Sequence, residues 1–410
     1  MGHTKGEEPD TGWGPDVGRL RGERFAKLQA QMAADGLDAL VLLHGPHVAY
    51  ATDCLPPAID VTHASARRPI AVVVADHPRP SLLGGDPSDL DVDAHPCVWP
   101  ELDEGAADLG AQLDAILGPR ARTGRVAVDC MTGAMRRAGV LAAAEIADAA
   151  PTMAAVKLHK TVDELACIHQ AQIRTNRAMT SVAEALVPGV RRSELAALFL
   201  RRLQERGIHA NVIDVIFQPM ARRLADGPRT TTGHLAFPTW SGDPVYAEGD
   251  LIWVDAGSHY HGYASDFGRT WVVGRPPTPA EERCFRRWQT VMDATYAAIA
   301  PGATYAEVCA AAEAADTPHQ PAGGRPWMPH FYLAHGVGIE SAEMPLLGTD
   351  NGPDHDATHT LAPGMVLVLE PAIWEDGVGG YRAEEIVAVT DDGWIPLGGG
   401  HPHHPFGSHP

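Results

Sequence analysis

No two of the six cysteines (54, 97, 130, 167, 284 and 309) stand in a Cys-x-x-Cys spacing. That excludes a zinc knot built on clustered thiolates and leaves reduced, mostly buried thiols of a cytoplasmic protein as the expectation. No run of eighteen apolar residues occurs, so no membrane-spanning helix is expected. Basic residues are scarce: 32 Lys and Arg stand against 52 Asp and Glu, a formal charge of −20. Such a surface disfavours nucleic acid and anionic membranes as partners. The opening MGHTKGEEPDTGWGPD lacks the apolar core of a signal peptide, and residues 1–16 are read as a disordered polar leader. No internal repeat or heptad is present. The closing HPHHPFGSHP (401–410) is rich in histidine, but its prolines forbid a helix, and a solvated tail is expected.

What remains is long enough to bury a large core, and two domains are expected from 410 residues. In residues 19–36, Phe25, Leu28 and Met32 recur at helical spacing before Gly36. LDALVLLHG, RRPIAVVVADHP (67–78) and RVAVDC (125–130) have the character of strands, and MRRAGVLAAAEIADAA (135–150) of a helix. This alternation predicts a small α/β domain over residues 17–155. From Lys157 the pattern changes. Thr161 and Glu164 form a capping-box pair before a long amphipathic helix, and Ser193 is a second cap before a helix that stops at Gly207. Strands NVIDVIF, DLIWVDAG, GRTWVVG, MVLVLEP and EEIVAVT follow, with helices expected near 279–300 and 304–315. The fold class is therefore α+β, its catalytic domain spanning residues 156–400.

Within that second domain lie two aspartates, a histidine and two glutamates of interest: Asp255, Asp266, His335, Glu370 and Glu384. A strand, a glycine-containing turn and a returning strand would bring Asp255 and Asp266 face to face. MVLVLEP would bury Glu370 at the end of an apolar strand, where a cation partner relieves the desolvation cost. Glu384 and Glu385 open the strand EEIVAVT, so one faces inward and the other outward. Hard oxygen ligands with one imidazole suit manganese, iron, cobalt or zinc, of which manganese is the expected metal. The carboxylates suffice to bridge two such ions roughly 3.5–4 Å apart.

Taken in order, these residues resemble the pita-bread metalloenzyme family of Xaa-Pro aminopeptidases, prolidases, methionine aminopeptidases and creatinase. The pattern D-x-G-x₄-G-Y-x-S-D-x-x-R-T is matched by Asp255 to Thr270, and H-G-x-G-x-x-x-x-E-x-P by His335, Gly336, Gly338, Glu343 and Pro345. P-G-M-x-x-x-x-E-P is matched by Pro363 to Pro371, and R-x-E-[DE]-x-V-x-V-T by Arg382 to Thr390. The stretch RLRGERFAKLQAQMAADGLDALVLLHGPHVAYATD resembles the N-terminal domain of the creatinase and prolidase branch. The resemblance implies a creatinase/aminopeptidase pita-bread catalytic domain preceded by a smaller α/β domain. It implies two divalent metal ions, one on Asp255 and the other on His335 and Glu370, bridged by Asp266 and Glu384. It further implies hydrolysis of a C–N bond in a small peptide by a metal-bridging hydroxide, Glu370 being ligand and general base at once, and a homodimer.

This chain departs from the family pattern at three places. Ala342 stands where the peptidase branch has a second histidine, EPAIW replaces E-P-G-x-Y, and the segment before Asp255 is longer than usual. The departures leave a non-peptidase reading beside the peptidase one: a lyase, or an amidohydrolase acting on a small metabolite. His234 and His330 are candidates for substrate contact, with His259 and His261 as turn histidines. Arg382 is a candidate for orienting a carboxylate, either the substrate's or that of Glu385. Trp327 and Trp374 could line a pocket or pack in the core.

Overall fold

The computed structural model describes residues 4–5, 12–55, 68–142, 144–208, 212–227, 229–230, 233–234, 237, 242–319, 326, 332–348 and 351–398. The chain divides into two compact units, Pro15–Lys157 and Leu158–Pro410 together with Met1–Gly14.

In the first unit, the helix Val17–Asp35 starts where the Asp16 carboxylate accepts from Arg19 N at 3.0 Å and ends on Gly36 in the left-handed region. Its buried stripe is Leu20, Arg24, Leu28 and Met32, whereas Phe25 is only half-buried. A charged residue enters that stripe because Asp53 meets the Arg24 guanidinium at 2.8 Å. The helix accompanies a six-stranded mixed sheet, ordered Asp93–His95, Ser81–Leu83, Ile70–Val74, Ala39–Leu42, Arg125–Val128, Glu145–Asp148. The helix expected over 135–150 is corrected. Gly133–Ala138 forms a six-residue helix that Gly139 terminates at φ 66°, and Glu145–Asp148 becomes an edge strand parallel to Arg125–Val128. The alanines there favour helix, but the left-handed glycine and sheet pairing override them.

In the second unit the helix Val162–Glu184 carries the expected capping box: Glu164 accepts from Thr161 N at 2.8 Å, and Thr161 accepts in return. The next helix, Arg192–Gln204, is capped by Arg191 and starts two residues earlier than a Ser193 cap would dictate. Glu194 accepts from Arg191 N, while Ser193 is drawn off to donate twice to Asp243. These two helices share a core with Leu251–Tyr260, Phe267–Val272 and Val212–Pro219, which pair antiparallel around the central Leu251–Tyr260. A second core lies between helices Pro279–Ala298 and Tyr305–Asp316 and a six-stranded sheet. That sheet is ordered Thr4–Lys5, Gly393–Pro396, Glu385–Thr390, Val366–Leu369, Ala334–Gly336, Glu343–Leu347. A separate two-stranded ribbon of Ala372–Glu375 and Gly379–Arg382 adds Ile373 and Tyr381 to that core. The architecture is α+β, with a helix pair packed on each sheet.

Candidate metal centre

Asp255 sits midway along Leu251–Tyr260, a strand buried almost throughout because Leu251, Ile252, Trp253 and Val254 precede it. The chain turns at His261 and Gly262, both at positive φ (47° and 82°), and returns as Phe267–Val272. Gly268 lies directly opposite Asp255 in the ladder. A Cβ at Gly268 would stand 2.4 Å from Glu384 Cδ, so only glycine lets that glutamate reach over the strand. Asp266 precedes the returning strand, and its N–H donates to Gln172 Oε1 of the long helix at 2.9 Å. Oxygens of Asp255, Asp266 and Glu384 all fall within 4.8 Å of one another.

His335 arrives from the other sheet, in Ala334–Gly336. Its Nδ1 lies 2.9 Å from Gly336 O and donates to it, which turns Nε2 toward Glu370 Oε1 (3.2 Å) and Asp266 Oδ2 (3.3 Å). Glu370 follows the apolar strand Val366–Leu369 and is fully buried, as MVLVLEP predicts. Glu384 turns inward; Glu385 turns the other way and is held by Arg269 Nη2 at 3.0 Å. The structure therefore brings all five expected residues together.

Arg382 differs from its expected place. It reaches neither Glu385 nor outward: Nε donates to Glu370 Oε2 (3.1 Å), Nη1 to Asp255 Oδ2 (3.1 Å), and Nη2 meets Glu370 and Glu384. Its guanidinium lies over the Trp253 ring, 5.0 Å from the centroid. The reason is register. Arg382 N and O bond the Thr270 hydroxyl, which aims the side chain across the Asp255 strand, while Arg269 occupies the side where Glu385 lies.

Crowded carboxylates oppose their own ionisation. Burial, then Asp266 and Glu370, push Asp255 up to about 7 against the pull of Arg382, and burial also raises Glu384 well above the carboxylate range. Burial works against a His335 imidazolium, but Asp266 and Glu370 outweigh it and raise its pKa to about 10. Moreover, Glu384 Oε2 is buried with no hydrogen-bond partner among the described residues. Three carboxylates around one point, a fourth beside an oriented imidazole, and that orphaned oxygen fit divalent cations of the hard-to-borderline class.

The other candidates fare differently. His234 has its backbone paired with Arg229, but its ring, like the whole of His330 and Trp327, lies outside the described residues. His261 is an exposed turn residue and His259 is half-buried, its backbone paired with Ala264. Trp374 packs against Phe237, ring centroids 6.1 Å apart, in a small apolar core. Ala342 is exposed. Two neighbours were not anticipated: Gln172, a helix residue 94 positions from the aspartate it holds, and Tyr332, whose ring meets His335 edge-on at 5.1 Å. Tyr332 lay within reach, three residues before the histidine.

Residues 166–391 match Metallopeptidase family M24, more than half the chain and every one of the five site residues. The chain belongs to this family. A peptidase of Bacillus subtilis, described as uncharacterised, is 28% identical over 257 residues, 62% of this chain and 66% of its own length. An Xaa-Pro dipeptidase of Pyrococcus furiosus is 29% identical over 241 residues, 58% of this chain and 62% of its own length. The chain thus spans about two thirds of these relatives. The crystal structure of dipeptidase PepE from Mycobacterium ulcerans superposes with a TM-score of 0.69 at 25% identity, covering 97% of this chain and 98% of that one. The fold is the pita-bread fold, and membership carries the coarse reading of a metal-dependent, peptidase-like hydrolase.

Proposed function

We propose that this M24 protein is a dinuclear-metal hydrolase that cleaves a C–N bond in a small peptide or peptide-like substrate. The observation that carries the reading is the meeting of Asp255, Asp266 and Glu384 oxygens within 4.8 Å, with Glu384 Oε2 left without a hydrogen bond. In this reading Asp255, Asp266, His335, Glu370 and Glu384 would hold the two ions, with Asp266 and Glu384 as the proposed shared ligands. Manganese is the proposed metal, with iron, cobalt or zinc as alternatives. Two such ions, when bound, lower the pKa of a water and polarise the bond to be broken.

The chain's own residues supply the proton handling. Arg382 engages Glu370 Oε2, which leaves Oε1 on the His335 side to take a proton from the attacking water and pass it to the leaving nitrogen. The Gly336 carbonyl fixes the imidazole tautomer, and Arg269, bonded to Glu384 O at 2.7 Å, steadies the strand that carries Glu384. His234 and His330 are proposed substrate contacts. A homodimer and cytoplasmic residence complete the proposal; no helix among the described residues is long and apolar enough to cross a membrane.

A second reading rests on Ala342 and on Trp374 in EPAIW: a family member acting on a compact metabolite, as a lyase or an amidohydrolase. A substrate screen on protein reconstituted with Mn²⁺, Co²⁺, Fe²⁺ or Zn²⁺ separates the two. Turnover of Xaa-Pro dipeptides supports the first, and turnover of creatine-like or betaine-like compounds alone supports the second. Glu370→Gln, assayed at metal concentrations that keep its sites filled, should lower kcat by about 10²–10⁴. Elemental analysis with single-turnover assays checks this, and undiminished kcat would refute the proton role.

A further inference from the structure

Lys160 and Glu343 form an ion pair of 2.7 Å with side chains 1% and 4% exposed. Neither belongs to the ligand set. A buried pair gains little stability over apolar residues of the same shape, because the cost of desolvating both charges offsets their attraction. Its placement suggests a different use.

The pair lies directly beneath the backbone that follows His335. A Cβ on Gly338 would stand 2.3 Å from Glu343 Oε1 and 3.1 Å from Lys160 Cε, so the chain rests on the two charged groups with no room between. Glu343 pairs with Gly336 at the point where the ladder shifts register, between His335 and Gly336. Gly336 supplies the carbonyl that receives His335 Nδ1–H. On the other side, Gly338 O accepts from Ala264 N at 2.7 Å, two residues before Asp266. Lys160 itself is fixed by its N–H to Gly364 O at 2.8 Å and precedes the capping Thr161 of the helix that carries Gln172. One ion pair therefore supports the backbone that aims both His335 and Asp266.

We propose that Lys160 and Glu343 are positioning residues that set the metal affinity of the site through the Gly336–Gly338 backbone. The inference rests on the reading of His335 and Asp266 as metal ligands. Support of this kind around a metal ligand is worth about 10–100-fold in affinity.

The test is isothermal titration of Mn²⁺ into the full-length protein, with thermal melts alongside. Lys160→Met should weaken Mn²⁺ binding by about 10–100-fold, and Lys160→Arg should recover part of the loss. The double variant Lys160→Met/Glu343→Leu removes both charges, and it should melt close to wild type yet remain weak in Mn²⁺ binding. Wild-type affinity in the double variant, or in Lys160→Met, would overturn the inference while leaving the metal reading intact. A wild-type protein that takes up none of Mn²⁺, Fe²⁺, Co²⁺ or Zn²⁺ would overturn the metal reading, and this inference with it.

Discussion

Gly268 shows how much of the site turns on single residues. With a methyl group there, Glu384 Cδ would be met at 2.4 Å and the glutamate forced away from Asp255 and Asp266. Gly268→Ala should therefore fold but bind metal at least about tenfold more weakly, as elemental analysis after dialysis against limiting Mn²⁺ would record. The titration of the ligands sets a second expectation. With Asp255 raised to about 7 and His335 to about 10, the metal-free protein carries protons that metal must displace. Metal affinity should rise as pH rises through 7, and binding should release protons. Calorimetry in buffers of different ionisation enthalpy measures that release; a pH-independent affinity would contradict the ligand assignment. At this scale the sequence was highly legible. Residue type and the family motifs singled out the five residues that the structure brings together, since carboxylates on apolar strands need a reason to be there. Arg382 was not legible, because which arginine crosses which strand depends on the pairing of Thr270 with Arg382.

Among the elements, the helix Pro279–Ala298 starts on a buried glutamate held by two arginines. Glu281 closes a capping box with Thr278 and also receives Arg275 at 2.9 Å through both of its nitrogens and Arg222 at 3.0 Å. Burial opposes its ionisation, but these partners hold it down to about 2, against an ordinary 4.5. A depressed folded-state pKa contributes stability that is complete above the unfolded value and fades as pH falls from about 4.5 toward 2. Glu281→Gln should cost about 2–3 kcal/mol at pH 7 and much less near pH 2, read from urea melts at both. Thr161→Ala should cost about 1 kcal/mol through the lost cap. Elements with caps and clear periodicity were readable in advance, Thr161–Glu164 being the clearest. Two elements went astray, one for a local reason and one for a distant one: Gly139 broke an alanine-rich helix, and Asp243 claimed Ser193 from 50 positions away. Contacts at such separations leave no mark in a local pattern.

For the whole molecule, any ligand that binds only the folded form raises its stability. Saturation at 100 times Kd is worth about 2.7 kcal/mol, so Mn²⁺ should raise the Tm and chelation should lower it. Sedimentation should give a species of about twice 43.6 kDa if the proposed homodimer forms. The broad outline was visible in the change of pattern near Lys157: alternating strands and helices before it, capped helices and paired strands after. What the pattern could not convey was the sheet order, which places His335 beside Asp266 from a different sheet.

The Arg382 guanidinium, held among Glu370, Asp255 and Glu384, has a consequence for how the protein comes into being. A guanidinium cannot shed its charge, so the chain carries an internal counter-ion into the fold before any metal arrives. The expected outcome is a polypeptide that folds before its cations arrive: protein refolded in chelator should show the far-UV circular dichroism of the untreated protein and take up Mn²⁺ afterwards, and a chain that refolds only with metal present would contradict this.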